Sequence, residues 1–147
     1  MYNCNIKDNM IKQQILNETQ TRGETLTKED CIKSNFESIK EFHQKYNLQP
    51  TPNNKELQKA RIKHMTEELN EYIKAQKEGN REQQLDALVD LVYVTLGTAY
   101  YENFDFDGAF KEVHSCNMKK IQKATERSKW DVVKPKGWQP PNLKDYI

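Results

Sequence analysis

The sequence predicts an all-α protein, an antiparallel four-helix bundle-like unit with an extended N-terminal arm and a Pro-rich C-terminal tail. Four blocks of the chain repeat apolar residues at spacings of three and four, which is the pattern of amphipathic helices. The connections between these blocks are short, which favours antiparallel neighbours. Hydrophobic residues make up only 35% of the 147 residues and charged residues 31%, so we expect one narrow core beneath a large solvated surface.

Composition also bounds the domains and the partners. We predict a polar N-terminal arm over 1–28, a helical domain over 29–124 and an extended tail over 125–147 that packs on the bundle. The 23 basic and 22 acidic residues nearly cancel, which argues against nucleic acid or a membrane as a partner. The three cysteines are far apart and the first residues contain no apolar leader, so we expect a reducing, cytoplasmic location.

The first block, 28–47, has apolar residues at helical spacing and ends before Pro50 and Pro52. Thr27 and Asp30 resemble a capping box at its start. This block therefore predicts the first helix of the bundle.

The three later helical blocks cover 54–77, 81–101 and 106–124. Gly79 follows the second block, where a glycine is typical of a helix C-terminus. Beyond the fourth block the tail is rich in residues that break helices, and we expect Trp138 to anchor it. The breakers are Pro135, Gly137, Pro140 and Pro141.

The third block combines an apolar circumference with two aspartates. A helix that is apolar all round is expected to be buried, yet Asp86 and Asp90 share one sector and no Lys or Arg lies within 85–101. Burying two like charges is costly unless a cation or strong donors compensate. Gly97 projects between the two aspartates and would let another backbone or a ligand come close.

The second block supplies further carboxylates in an EExxE run formed by Glu67, Glu68 and Glu71. If the second and third helices pack antiparallel, these side chains face Asp86 and Asp90. Four or five oxygen donors in one place are typical of a Mg²⁺ or Mn²⁺ site. Two alternatives stay open, a solvated acidic face and aspartates neutralised by a basic residue of the second block, Arg61 or Lys63. A di-iron site is disfavoured because no His follows three residues after a Glu.

The fourth block adds polar groups on an apolar face. Asn117 is expected there either as a hydrogen-bonding clamp in the core or as a residue that reads a ligand. Lys120 lies on the shoulder of that face, and Lys136 lies in the tail; both could reach an anion. A divalent cation beside Lys and Asn favours a substrate with phosphates, although the chain has no Gly-rich phosphate loop.

Three segments in this order resemble the all-α nucleoside triphosphate pyrophosphohydrolases, the MazG-like and phosphoribosyl-ATP pyrophosphatase-like superfamily. They are EELNEY, DALVDLVYVTLGTAY and FKEVHSCNMKKI, and the similarity covers 36–143. The resemblance implies metal ligands at Glu68, Glu71 and Asp90, and a water-activating role for Glu67 or Glu71. It also implies that Asn117 and Lys120 contact the substrate.

The resemblance implies Mg²⁺-dependent hydrolysis of a nucleoside triphosphate to the monophosphate and pyrophosphate by a homodimer or homotetramer. The superfamily pattern has an acid where this chain has Ala87, so Asp86 must supply that carboxylate, and Cys116 stands in place of a serine. Ala87 favours a competing interpretation, a catalytically silent helical interaction module. A phosphoribosyl-ATP pyrophosphatase is a further alternative.

Overall fold

The computed structural model describes residues 33–147, and Ser34–Ile147 form one compact unit. The arm predicted over 1–28 and the capping box predicted at Thr27 and Asp30 lie outside the described residues. In the described part of the chain, no helix is long and apolar enough to cross a membrane.

The first helix, α1 (Asn35–Lys45), begins after Ser34. The Ser34 hydroxyl accepts a hydrogen bond from the Glu37 backbone N–H at 3.1 Å, and the Glu37 carboxylate accepts one from the Ser34 N–H at 3.4 Å. This reciprocal pair is a capping box, which satisfies backbone donors that a helix start leaves unpaired.

Helices α2 (Lys55–Glu78) and α3 (Arg81–Tyr101) form an antiparallel hairpin. Gly79 ends α2 in the left-handed conformation at φ +68°, and Asn80 caps the start of α3. The contacts between the two helices show that they are antiparallel, because residues further along α3 contact residues nearer the start of α2. Gln84 bonds Ala75, Thr95 contacts Met65, and Thr98 bonds Arg61. Both helices match their predicted bounds to within a residue.

Helix α4 (Phe106–Asn117) ends well before the predicted residue 124. The chain turns instead into β1 (Ile121–Gln122), which pairs antiparallel with β2 (Val132–Val133). A turn between the strands is held by Asp131, whose carboxylate accepts from the Thr125 hydroxyl at 2.6 Å and from the guanidinium of Arg127. The boundary predicted at residue 124 therefore falls inside a small β-hairpin.

The core lies where α1 meets the carboxyl-terminal half of α3 and the start of α4. Its buried members are Phe36, Ile39, Leu96, Ala99 and Tyr100, with Tyr101 and Phe106 packed against them. The rings of Phe36 and Phe106 are 5.7 Å apart, and the Tyr100 hydroxyl donates to the Leu48 carbonyl at 2.9 Å. This end of α3 is the buried one.

The other end of α3 is left largely uncovered by the described residues 33–147, so the expectation of burial on all sides is not met there. Val89 is 54% exposed and Leu85 65% exposed. Burial depends on what covers a helix, and α2 and α1 cover only part of this circumference. An apolar surface thus remains on the hairpin, with members on both helices: Ile62, Leu69, Ile73, Leu85, Leu88, Val89 and Val92.

The tail contacts both ends of α4. The Trp138 indole N–H donates to the Cys116 carbonyl at 2.8 Å, near the end of the helix. At its start, the Asp105 N–H donates to the Tyr146 carbonyl at 3.0 Å, where the residues Lys144–Tyr146 form a 3₁₀ turn. The tail thus supplies much of the surface that holds α4 in place.

Candidate metal and nucleotide site

Three of the predicted carboxylates lie near a fourth, that of Glu68. Glu68 is half-buried on the face of α2 that packs on α3. Its pKa is raised above the ordinary value by burial first, and then by the negative charges of Glu71, Asp90 and Glu67; His64 lowers it. The antiparallel hairpin therefore brings Asp90 to the EExxE run.

The alternative in which Arg61 or Lys63 neutralises the aspartates is not met. Lys63 Nζ lies 3.6 Å from Glu67 Oε1, but both side chains are at least half exposed, and such pairs are worth about 0–1 kcal/mol. Arg61 points to α3 instead, where it donates to Thr98 and Val94. In the described part of the chain, Glu68, Glu71 and Asp90 form no ion pair within 4 Å.

Asp86 stands apart from the other four acids. It is exposed, and it is not among the groups that raise the pKa of Glu68. Its neighbour Ala87 is the buried one, 3% exposed. The side chain at 87, where the superfamily pattern has an acid, faces the packed side of α3, whereas the side chain at 86 does not.

The donor set suits a hard divalent cation because every member is a carboxylate oxygen. The carboxylates do not converge on a common point. Among residues 33–147, no group of three or more His, Cys, Asp or Glu side chains is arranged to hold a metal ion. Binding a cation would require the long glutamate side chains to turn towards Asp90. A cation bound there would offset the negative charges of the acids near Glu68.

The predicted substrate residues lie in another part of the unit. Asn117 is exposed where α4 ends, so it is not a hydrogen-bonding clamp in the core, and its role in reading a ligand stays a prediction; Phe110 on the same face is itself 61% exposed. Lys120 is half-buried with Nζ 5.7 Å from the centre of the Trp138 ring, and Lys136 is exposed. Within 33–147 no hydrogen bond or ion pair joins these residues to the acids of α2 and α3.

Sequence reasoning did not find a polar cluster formed by His43, Arg61 and Gly97. His43 is 4% exposed, and its Nδ1 donates to the Ile39 carbonyl at 2.8 Å. A Cβ on Gly97 would lie 2.9 Å from Arg61 Nη2 and 3.3 Å from His43 Cε1. Gly97 was expected to admit another backbone or a ligand; it admits two side chains of its own chain. Nothing in the sequence around His43 or Arg61 indicates this cluster, because the two residues meet only when the helices pack.

Comparison with known families gives one match. The family model described as phosphoribosyl-ATP pyrophosphohydrolase matches residues 37–117, more than half of the chain. The matched region runs from α1 to the end of α4 and contains all five predicted acids of α2 and α3. A search of curated proteins found no match. The resemblance drawn from the three segments is confirmed, and the chain belongs to the phosphoribosyl-ATP pyrophosphohydrolase family, within the all-α MazG-like superfamily.

Proposed function

We propose that this chain is a Mg²⁺-dependent nucleoside triphosphate pyrophosphohydrolase, with Mn²⁺ as an alternative cation. It converts a ribo- or deoxyribonucleoside triphosphate to the monophosphate and pyrophosphate, in cytoplasmic house-cleaning of the nucleotide pool. Family membership supports an enzyme that acts on phosphoric anhydride bonds. The observation that supports the proposal is that Asp90 of α3 lies near Glu67, Glu68 and Glu71 of α2, where burial and then these negative charges raise the pKa of Glu68.

The acids divide into holding and activating roles. Glu68, Glu71 and Asp90 are proposed to hold the cation, with Asp86 reaching in from the edge. A cation held there would offset the negative charge of the phosphates and make a nearby water more acidic. Glu67 or Glu71 would orient the attacking water or take its proton.

Substrate binding is assigned to residues of α4 and the tail. The exposed Asn117 amide offers a donor and an acceptor, which suit a sugar or a base. Lys120 and Lys136 offer ammonium groups for phosphate oxygens. Lys120 is partly held in place because its Nζ lies over the Trp138 ring.

The apolar surface of the hairpin supports self-association. Seven large apolar side chains at least 40% exposed lie on two adjacent helices, and exposed apolar surface of this kind is typical of protein interfaces. We propose a homodimer or homotetramer. Nucleic acid and membrane are not proposed as partners, because the charge of the chain is nearly balanced.

A second candidate substrate is phosphoribosyl-ATP, because the matching family carries that description. The two candidates share the same bond and the same acids, so they differ only in the group that the substrate presents beyond its phosphates. The silent interaction module is favoured by the buried Ala87 in place of an acid.

A panel assay tests these possibilities together. Purified protein is incubated with the eight common nucleoside triphosphates and phosphoribosyl-ATP, with Mg²⁺ or Mn²⁺, and pyrophosphate is measured. Glu68→Gln should abolish release while the helical circular dichroism persists, and Glu78→Gln, an exposed acid at the end of the same helix, should not alter it. Full activity of Glu68→Gln would refute the site. No turnover on any substrate would favour the module.

A further inference from the structure

Helices α1, α2 and α3 meet around Gly97, and two nitrogen-bearing side chains enter this notch. Arg61 Nη2 and His43 Nε2 both lie within 3.5 Å of the point that a Cβ of Gly97 would occupy. His43 uses Nδ1 on the Ile39 carbonyl, which can only accept, so Nε2 is the ring nitrogen that faces the notch. Any residue larger than glycine at 97 would displace them.

Arg61 carries a charge that its surroundings do not balance. Its Nε donates to Thr98 Oγ1 at 3.1 Å and its Nη2 to the Val94 carbonyl at 2.6 Å. These bonds use two of five N–H donors, and within residues 33–147 Arg61 makes no ion pair. Burial lowers the pKa of Arg61, with Tyr101 opposing. A partly desolvated guanidinium with spare donors favours binding of an anion.

The position of Arg61 relates it to the acids. It precedes Glu68 by seven residues, almost two full turns, so both side chains lie on the face of α2 that meets α3. Their separation along the helix axis is about 10 Å. Along the line where α2 meets α3, carboxylates therefore lie towards one end and a guanidinium towards the other. A polyphosphate chain matches this order, because one phosphate group can meet a cation at the acids while another meets Arg61.

We propose that Arg61 binds a phosphate group of the substrate, in a subsite formed with His43 over Gly97 that functions without the metal ion. The inference rests on the proposed function for its choice of substrate. Arg61 contacts the substrate, whereas His43 and Gly97 are positioning residues that fix where the guanidinium lies. The guanidinium fork suits two phosphate oxygens at once, which a lysine ammonium does not.

Binding in the absence of metal tests the subsite directly. Protein and buffer are stripped of divalent cations with a chelating resin, and inorganic tripolyphosphate is titrated calorimetrically. The wild type should bind, and Arg61→Gln should weaken binding roughly ten- to a hundredfold, the range for a charged hydrogen bond. Arg61→Lys should restore part of the affinity. Arg81→Gln, an exposed arginine at the other end of the same hairpin, is the matched control and should bind as the wild type does.

A second variant separates binding from folding, since Arg61 also joins α2 to α3. Gly97→Ala keeps the charge and favours the helix, but its Cβ would force the end of Arg61 aside. We expect it to keep its helical circular dichroism and to lose at least fivefold in tripolyphosphate affinity. Wild-type affinity in both Arg61→Gln and Gly97→Ala, or no binding by the wild type, would overturn the subsite. The subsite would also be overturned if Arg61→Gln weakened the binding of a nucleoside without phosphates as much as it weakened the binding of tripolyphosphate.

The two proposals fail in different experiments. Pyrophosphate release that depends on Glu68, in a protein whose tripolyphosphate affinity is unchanged by Arg61→Gln, would remove the subsite and keep the function. Arg61-dependent binding of tripolyphosphate, in a protein that hydrolyses no substrate of the panel, would do the reverse.

Discussion

The α2–α3 hairpin and the region from α4 to the C-terminus are stabilised in different ways. In the hairpin, contacts between the two helices run from Gln84 with Ala75 near the turn to Thr98 with Arg61 far from it. Helix α4 packs on the core through Phe106, and both of its ends are also bonded to tail residues, Trp138 and Tyr146. Two long helices that cover each other need little else, whereas a short helix depends on a segment that comes later in the chain.

This difference bears on where function resides. The hairpin carries the acids and Arg61, on faces fixed by many contacts along its length. The residues proposed to read the substrate, Asn117 and Lys120, lie at the end of α4, where one tail residue, Trp138, sets the local structure. We therefore expect changes in the hairpin to affect catalysis and changes in the tail to affect local stability.

The largest expected effect separates two aspartates of the hairpin. Asp90→Asn should lower kcat/KM by about a thousandfold, the upper range for removing one strongly stabilising electrostatic group, because Asp90 is among the acids that repel Glu68. Asp86→Asn should lower it less than tenfold, because Asp86 is not one of those acids. Steady-state kinetics with the best substrate of the panel would measure both. Equal losses would show that the two aspartates act alike.

The next effect concerns the tail. Trp138→Ala removes a half-buried ring and its hydrogen bond to Cys116, and we expect a loss of about 2 kcal/mol in unfolding free energy. Amide exchange should rise in α4 and the tail while the hairpin stays protected. Trp130→Ala, a residue 79% exposed, is the control and should change stability by less than about 0.5 kcal/mol. Loss of protection throughout the hairpin would contradict the contrast between the two regions.

A smaller effect compares two glycines with positive φ. Gly79 at φ +68° joins the helices of the hairpin, and Gly137 at φ +80° lies in the tail. No atom lies within 4 Å of a Cβ built on either, so alanine should cost only backbone strain, about 1 kcal/mol. Gly79→Ala should lower the global transition in thermal unfolding. Gly137→Ala should instead increase amide exchange in the tail; a similar global shift in both would argue for one cooperative unit.

The smallest effect is a dependence on pH in the hairpin without metal. The pKa of Glu68 is raised in the folded protein, so the folded state holds more protons than the unfolded state between the two pKa values. Stability should therefore fall as pH rises from the ordinary glutamate pKa through the raised one, and then level off. Glu68→Gln should reduce this slope, and Glu78→Gln should retain it, in urea unfolding at several pH values. An unchanged slope in Glu68→Gln would show that the pKa of Glu68 is not raised in the folded protein.

The sequence predicted the hairpin almost to the residue because its signals are local. Asn54 and Asn80 cap the two helices, Gly79 ends the first, and the apolar spacing between them is regular. The end of α4 was predicted wrongly for a reason that is not local. The apolar pattern continues to Ile121, but Ile121 pairs with Val133, a residue of the tail, and helical spacing carries no information about that partner.

Composition and periodicity by themselves determined a mainly helical unit with four helices among residues 33–147, the antiparallel hairpin and the presence of acids on both of its arms, because each depends on residues close together in sequence. Only the tertiary structure decided that Asp90 and not Asp86 is among the acids that raise the pKa of Glu68, that Arg61 turns to α3, and that Gly97 admits His43. Those outcomes depend on the register between helices and on the direction in which each side chain leaves its helix. Neither is encoded in spacing alone, since packing against other elements selects them.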